Sequence, residues 1–126
     1  MIRFFRRLLW GARVGAAFGR AERLMHSGKW QVALGIVQRA LEGLDSAGLS
    51  QEPPLDMARA LLVARGEAIA YELEEPGFSE VELERSLAML ESVNPESLPE
   101  DHSLNILFLR SRIQRLKASS EHPVSP

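Results

Sequence analysis

The chain has no cysteine, one tyrosine and two tryptophans among its 126 residues. Without thiols there is no disulfide framework, thiolate metal site or cysteine nucleophile, an absence that merely agrees with a reducing cytoplasm. Aromatic residues make up only 6%, and no Asn-Gly or Asp-Gly pair occurs, so the marks of strands and hairpins are missing. Long apolar runs are missing too. The stretch from Leu8 to Gly19 is interrupted by Arg13 and falls short of the ~20 residues a spanning helix needs. An arginine at mid-membrane costs roughly 2.5–3.5 kcal/mol on insertion scales, so no transmembrane helix is expected. Residues 1–20 are nonetheless arginine-rich, acid-poor and amphipathic, which leaves a processed targeting segment open.

Signs of chemistry are equally sparse. The glycines of "GARVGAAFG" stand four apart within an amphipathic pattern, not in the strand-to-helix turn that cradles phosphate. His26, His102 and His122 have no metal-ligand spacing and read as surface or helix-capping residues. The acids Glu72, Glu74, Glu75, Glu80, Glu82 and Glu84 bracket a helix turn and read as solvated. No serine sits in a nucleophile elbow. The expectation is a protein that is not an enzyme, with no catalytic, cofactor or metal residues.

What is present is a balanced globular composition, 45% apolar and 25% charged, of a length suited to one domain. The net charge of −2 conceals a polarity along the chain. The first thirty residues carry Arg3, Arg6, Arg7, Arg13, Arg20, Arg23 and Lys29 against Glu22. The middle, from Glu42 to Asp101, is acidic, and Arg110, Arg112, Arg115 and Lys117 turn the end basic again. Such asymmetry either marks an interaction surface or is satisfied internally. The second reading, with the first helix lying beside the acidic middle, is the expectation.

Apolar positions recur at three and four, which predicts an all-α fold of about five helices. The predicted segments are 2–26, 30–44, 55–73, 79–93 and 98–117. A linker over 45–54 separates the second from the third, the domain spans 1–118, and 119–126 is a tail expected to be disordered. On the first helix Phe4, Phe5, Leu8, Gly11, Ala12, Gly15, Phe18 and Gly19 share a face opposite the arginines. The glycines on that face predict close approach by a neighbouring helix. Gly28 reads as the left-handed residue that ends the first helix, and Pro53-Pro54 as the start of the third. In the second, Ala33, Leu34, Val37, Ala40, Leu41 and Leu44 have core spacing. "SEVE" from Ser79 reads as a capping box with Phe78 and Leu83 as its staple, and Ser97 with Glu100 as a second box. Leu83, Leu87 and Leu90 are the expected buried stripe of the fourth helix; Leu104, Leu107, Phe108 and Leu116 are that of the fifth.

Ala21, Leu24, Gly28, Trp30, Ala33, Leu34, Val37, Ala40 and Leu41 together resemble a tetratricopeptide repeat. The resemblance covers residues 14–47, and a second, degenerate unit is suggested around Phe78 to Pro95. It departs from the pattern where the first unit ends Leu44-Asp45-Ser46 without proline, and where Leu83 replaces the usual alanine. It implies antiparallel hairpins in a right-handed array; an irregular helical bundle is the alternative.

The resemblance implies a non-catalytic protein–protein interaction module, an adaptor or chaperone-like scaffold holding another protein or peptide. Arg13, Arg20 and Arg65 are then the candidates for acidic groups of the partner. The alternative is peripheral attachment to an anionic membrane surface through Phe4, Phe5 and Leu8 with Arg3, Arg6 and Arg7. Nucleic acid is not an expected partner, because the basic face lacks interleaved aromatics. The expected location is cytoplasmic, membrane-peripheral under the alternative.

Overall fold

The computed structural model describes residues 2–92 and 100–121. They form α1 (Ile2–His26), α2 (Trp30–Ser46), α3 (Leu55–Glu72), α4 (Glu80–Glu91) and α5 (Glu100–Glu121). No strand occurs among the described residues. Successive helices pack mainly as antiparallel neighbours. α3 also touches α1 and α5, which makes it the hub. That position explains its composition: Leu55, Ala60, Leu62, Val63, Ala64, Gly66, Ile69 and Ala70 are all buried, on more than one side of the rod.

The turns follow from backbone chemistry. After α1, Gly28 adopts φ 78°. Its N–H donates to the Met25 carbonyl at 3.0 Å and that of Lys29 donates to Leu24 at 2.8 Å. This Schellman pairing satisfies carbonyls the helix end leaves unpaired. α2 ends the same way: Gly48 has φ 73°, its N–H donates to Asp45, and Leu49 donates to Leu44. Leu49 is thereby buried. The expected linker is therefore ordered, and α2 reaches Ser46 rather than Leu44. α3 repeats the motif with Glu74 in the left-handed position, φ 56°, where Glu74 donates to Tyr71 and Glu75 to Ala70. Pro54 immediately precedes α3 as expected.

Across the Gly28 turn, Ala21 and Ala33 are completely buried, and Leu34, Val37, Leu41 and Leu44 join them. Ala40 is partly buried against this core. At the start of α4 only half of the capping box forms. Ser79 Oγ accepts from the Glu82 N–H at 3.2 Å, but the Glu82 carboxylate turns away to Arg59. A fully charged guanidinium is the stronger partner. Phe78, the staple residue, packs against the core beside α3. A Cβ on Gly66 would lie 2.8 Å from its ring.

Two helices present faces other than those expected. α1 turns Trp10, Val14, Phe18, Ala21, Leu24 and Met25 to the core, while Gly11 and Gly15 are exposed and meet nothing. Their lack of side chains admits no neighbouring helix. In α5, Leu109 and Ile113 are buried, whereas Leu104 and Leu107 are about 60% exposed (62% and 59%). Phe108 and Leu116 are half-buried as expected on its flanks. α5 also runs beyond Lys117 to Glu121. Ser97 of the second capping box and residues 122–126 of the tail, His122 included, lie outside the described residues.

Candidate functional site

The sequence candidates are dispersed and partly regrouped. Arg13 and Arg20, seven residues apart on α1, line one side of a groove whose other wall is α2. Trp10, Val14 and Ala17 of α1 and Ile36, Arg39 and Ala40 of α2 complete its lining. The groove has a volume of about 280 Å³ and no carboxylate borders it. Val14 and Ile36 are buried at its floor. The Arg13 guanidinium lies over the Trp10 ring, 5.0 Å from the centroid, a cation–π geometry. Arg39 Nε donates only a long 3.4 Å bond to the Gly35 carbonyl of its own helix. Among the described residues neither Arg13, Arg20 nor Arg39 has a carboxylate partner.

Trp10 gives the groove a rigid end. Its indole lies against the backbone of Gly43 on α2, where a Cβ would stand 2.5 Å from Cη2. Only glycine lets the ring lie that close. Gly35, one turn before Arg39, faces the Arg39 side chain at 3.6 Å by the same measure. Gly43 thus sets where the Trp10 ring rests.

Arg65 does not belong to this group. It is half-buried on α3, with its guanidinium 4.8 Å from the Phe18 ring centroid. Arg39 takes its place. The sequence held a signal for this, because Arg39 stands four residues after Gly35 and beside Ala40 of the core stripe, but its partner residues come from the α1–α2 register.

The residues proposed to face a membrane divide into two sets. Phe4, Phe5 and Leu8 are exposed, with Ile2 and Leu9 beside them. Arg6 and Arg7 are drawn back to the body: Arg6 donates to the Ala47 carbonyl at 2.8 Å, and Arg7 lies 3.6 Å from Glu52. The Arg3 side chain lies outside the described structure.

Charge compensation differs from the expectation as well. Among the described residues the ion pairs of the acidic middle run mostly to α3 and α5, with Arg7–Glu52 reaching α1. Arg59 joins Asp45, at 2.9 Å, to Glu82. Burial opposes the Arg59 charge, but the hydrogen bonds it donates to Asp45 and Glu82 outweigh it and hold its pKa above the usual value. The hydrogen bond from Arg59, aided by the Ser50 hydroxyl, holds Asp45 below the ordinary carboxylate range despite partial burial. Glu84 pairs with Lys117 at 3.0 Å and Glu91 with Arg110 at 3.2 Å. Of the acids bracketing the α3–α4 turn, Glu82 and Glu84 are therefore occupied, while Glu72, Glu74 and Glu75 are exposed. Among the described residues no group of three acids or histidines is placed to hold a metal ion.

Sequence reasoning passed over Glu67, the one charged side chain among the largest fully buried ones. Its Oε1 accepts the Phe78 N–H at 2.8 Å and its Oε2 meets Arg112 Nε at 3.1 Å. Any side chain at Gly77 would collide with this carboxylate. Arg112 also stacks 5.2 Å from the Tyr71 centroid. Both oxygens are satisfied within the fold, so the cluster is a structural clasp joining α3, the α3–α4 turn and α5.

No protein-family model, curated protein or solved structure matches the chain. No helix among the described residues is long and apolar enough to cross a membrane.

Proposed function

We propose that the protein is a non-catalytic helical adaptor that holds an acidic segment of another protein in the α1–α2 groove. One observation carries the reading: Arg13, Arg20 and Arg39 surround an apolar floor with no carboxylate to answer them. A guanidinium binds carboxylate in a planar, bidentate fashion, and the floor of Val14, Ala17 and Ile36 suits the apolar side chains of the same segment. Trp10 supplies a fixed aromatic wall, the type of residue on which binding energy concentrates. The likeness of residues 14–47 to a tetratricopeptide repeat supports the same assignment, since such hairpins use their faces for peptides. In this reading the scaffold is α3 with its buried contacts, and specificity lies on the exposed first hairpin.

The test is selection from a random peptide display library on the full chain, followed by anisotropy titration of the enriched peptides. Enrichment of Asp and Glu interspersed with apolar residues is expected. Arg20→Glu with Arg39→Glu should weaken such a peptide at least ~10-fold, as reversal of close charge pairs does. Enrichment without acids, or unchanged affinity in the double variant, overturns the reading.

A further inference from the structure

The first helix carries two apolar stripes, and the fold uses one of them. At about 100° per residue, the stripe of Trp10, Val14, Phe18, Ala21 and Met25 lies roughly opposite that of Phe5, Leu8, Leu9 and Ala12. The former meets α2 and α3 in the core. The latter faces outward. Ile2 is 78% exposed, and Phe4, Phe5, Leu8 and Leu9 are between 51% and 64% exposed. Half of the exposed large apolar side chains among the described residues thus fall within two and a half turns. Gly11, Ala12, Gly15 and Ala16 extend the same side without a charge. Pro54 of the α2–α3 loop lines a shallow concavity with Phe4, Leu8, Gly11 and Ala12, so the surface continues past the helix itself. A contiguous apolar patch of this kind marks a contact surface.

The charges beside it choose the occupant. From Ile2 to Ala21 α1 holds Arg3, Arg6, Arg7, Arg13 and Arg20 and no acid. Arg6 is exposed while donating to a carbonyl, and among the described residues it has no carboxylate partner. A second copy of the chain would bring two such cationic helices together and meet their repulsion. A plane of anionic lipid headgroups complements the arginines and receives the apolar side chains a few ångströms below. Since no described helix can span a bilayer, the helix lies in the surface.

We propose that Ile2, Phe4, Phe5, Leu8 and Leu9 insert into the interface of an anionic bilayer, with Arg6 on the headgroups. This docks the protein by a face other than the α1–α2 groove, which stays open to solvent. Each interfacial arginine contributes about fivefold in affinity, and the exposed phenylalanines and leucines supply the rest.

The experiment is co-sedimentation of the full chain with vesicles of phosphatidylcholine alone, or with about one third phosphatidylserine. Binding is expected to the serine-containing vesicles, at least ~10-fold stronger than to phosphatidylcholine alone, and to weaken as salt is raised. Phe4→Ser, Phe5→Ser and Leu8→Ser together should abolish it. Those side chains are more than half exposed, so the triple variant should keep the wild-type circular dichroism and thermal midpoint. It should also keep its affinity for acidic peptides, which separates this surface from the groove. Arg6→Glu is the second variant, expected to weaken vesicle binding at least ~5-fold with the apolar residues intact. Absence of vesicle binding, equal binding to both lipid compositions, or undiminished binding of the triple variant overturns the proposal. So does a wild-type oligomer that the triple variant dissolves, because a second copy would then cover the face.

Discussion

The indole of Trp10 lies directly on the backbone of Gly43, close enough that a Cβ there would stand 2.5 Å from Cη2 and 2.8 Å from Cζ3. The contact joins α1 to the last turns of α2 and fixes one end of the arginine groove. Gly43→Ala should push the ring outward, because the far end of a half-buried side chain yields more readily than a backbone. The expected cost is about 1 kcal/mol, the lower end for an overpacked contact. Urea unfolding measures that cost, and tryptophan emission in a Trp30→Phe background follows the ring. Peptide affinity should fall with it.

The Glu67–Arg112 clasp makes a sharper prediction. Glu67→Ala leaves the Arg112 guanidinium and the Phe78 N–H without their partner. Removing one member of a buried pair costs about 3–5 kcal/mol. Glu67→Gln can still accept from Phe78 and should lose less. Equal midpoints for the two variants in chemical denaturation would contradict the assigned role.

At the end of α3 a gain is available. Glu74 holds φ 56° in the place where α1 and α2 use glycine, and the left-handed region costs a side-chain-bearing residue about 1–2 kcal/mol. Part of that is offset by the greater freedom of glycine in the unfolded chain. Glu74→Gly should therefore stabilise the fold by about 0.5–1 kcal/mol, read as a raised thermal midpoint.

Asp45 links stability to pH. Its folded pKa lies below its unfolded value through the hydrogen bond from Arg59. A depressed carboxylate contributes stability above its unfolded pKa, about 3.9, and loses it as pH falls through the folded value. Stability measured from pH 6 downward should be level for this group until about pH 4 and then fall. Asp45→Asn should flatten that part of the acid limb. The effect is small, because the side chain is 48% exposed and solvent screens the pair.

The helices were legible in the sequence because punctuation was local. Gly28, Pro54 and Ser79 each act through their own backbone or a neighbour within a few residues, so their roles follow from type and position. The orientation of α1 was not legible from the same pattern. Its two apolar stripes compete, and the one with Trp10, Val14 and Ala21 is turned to the core while Phe4, Phe5 and Leu8 stay outside, a choice set by which helices become neighbours. In α5, the leucine spacing of Leu104 and Leu107 obscures Leu109 and Ile113, the buried hydrophobic residues of that helix among the described residues. Charge and helical spacing place Arg13 and Arg20 on one side of α1, whereas Arg39 beside them and Arg65 apart from them depend on which helices become neighbours. Glu67 meets Arg112 across 45 positions, a distance over which no local pattern speaks.

Because α3 contacts each of the other four helices, no hairpin can detach without exposing it. Stacked repeats that touch only their neighbours can fray from one end; a hub cannot. Amide protons along Leu62–Ala70 should exchange with solvent only through global opening, and those at the start of α1 through local fluctuation. The outward-facing end of α1 is thus free to rearrange on a surface it meets while the body beneath it stays folded.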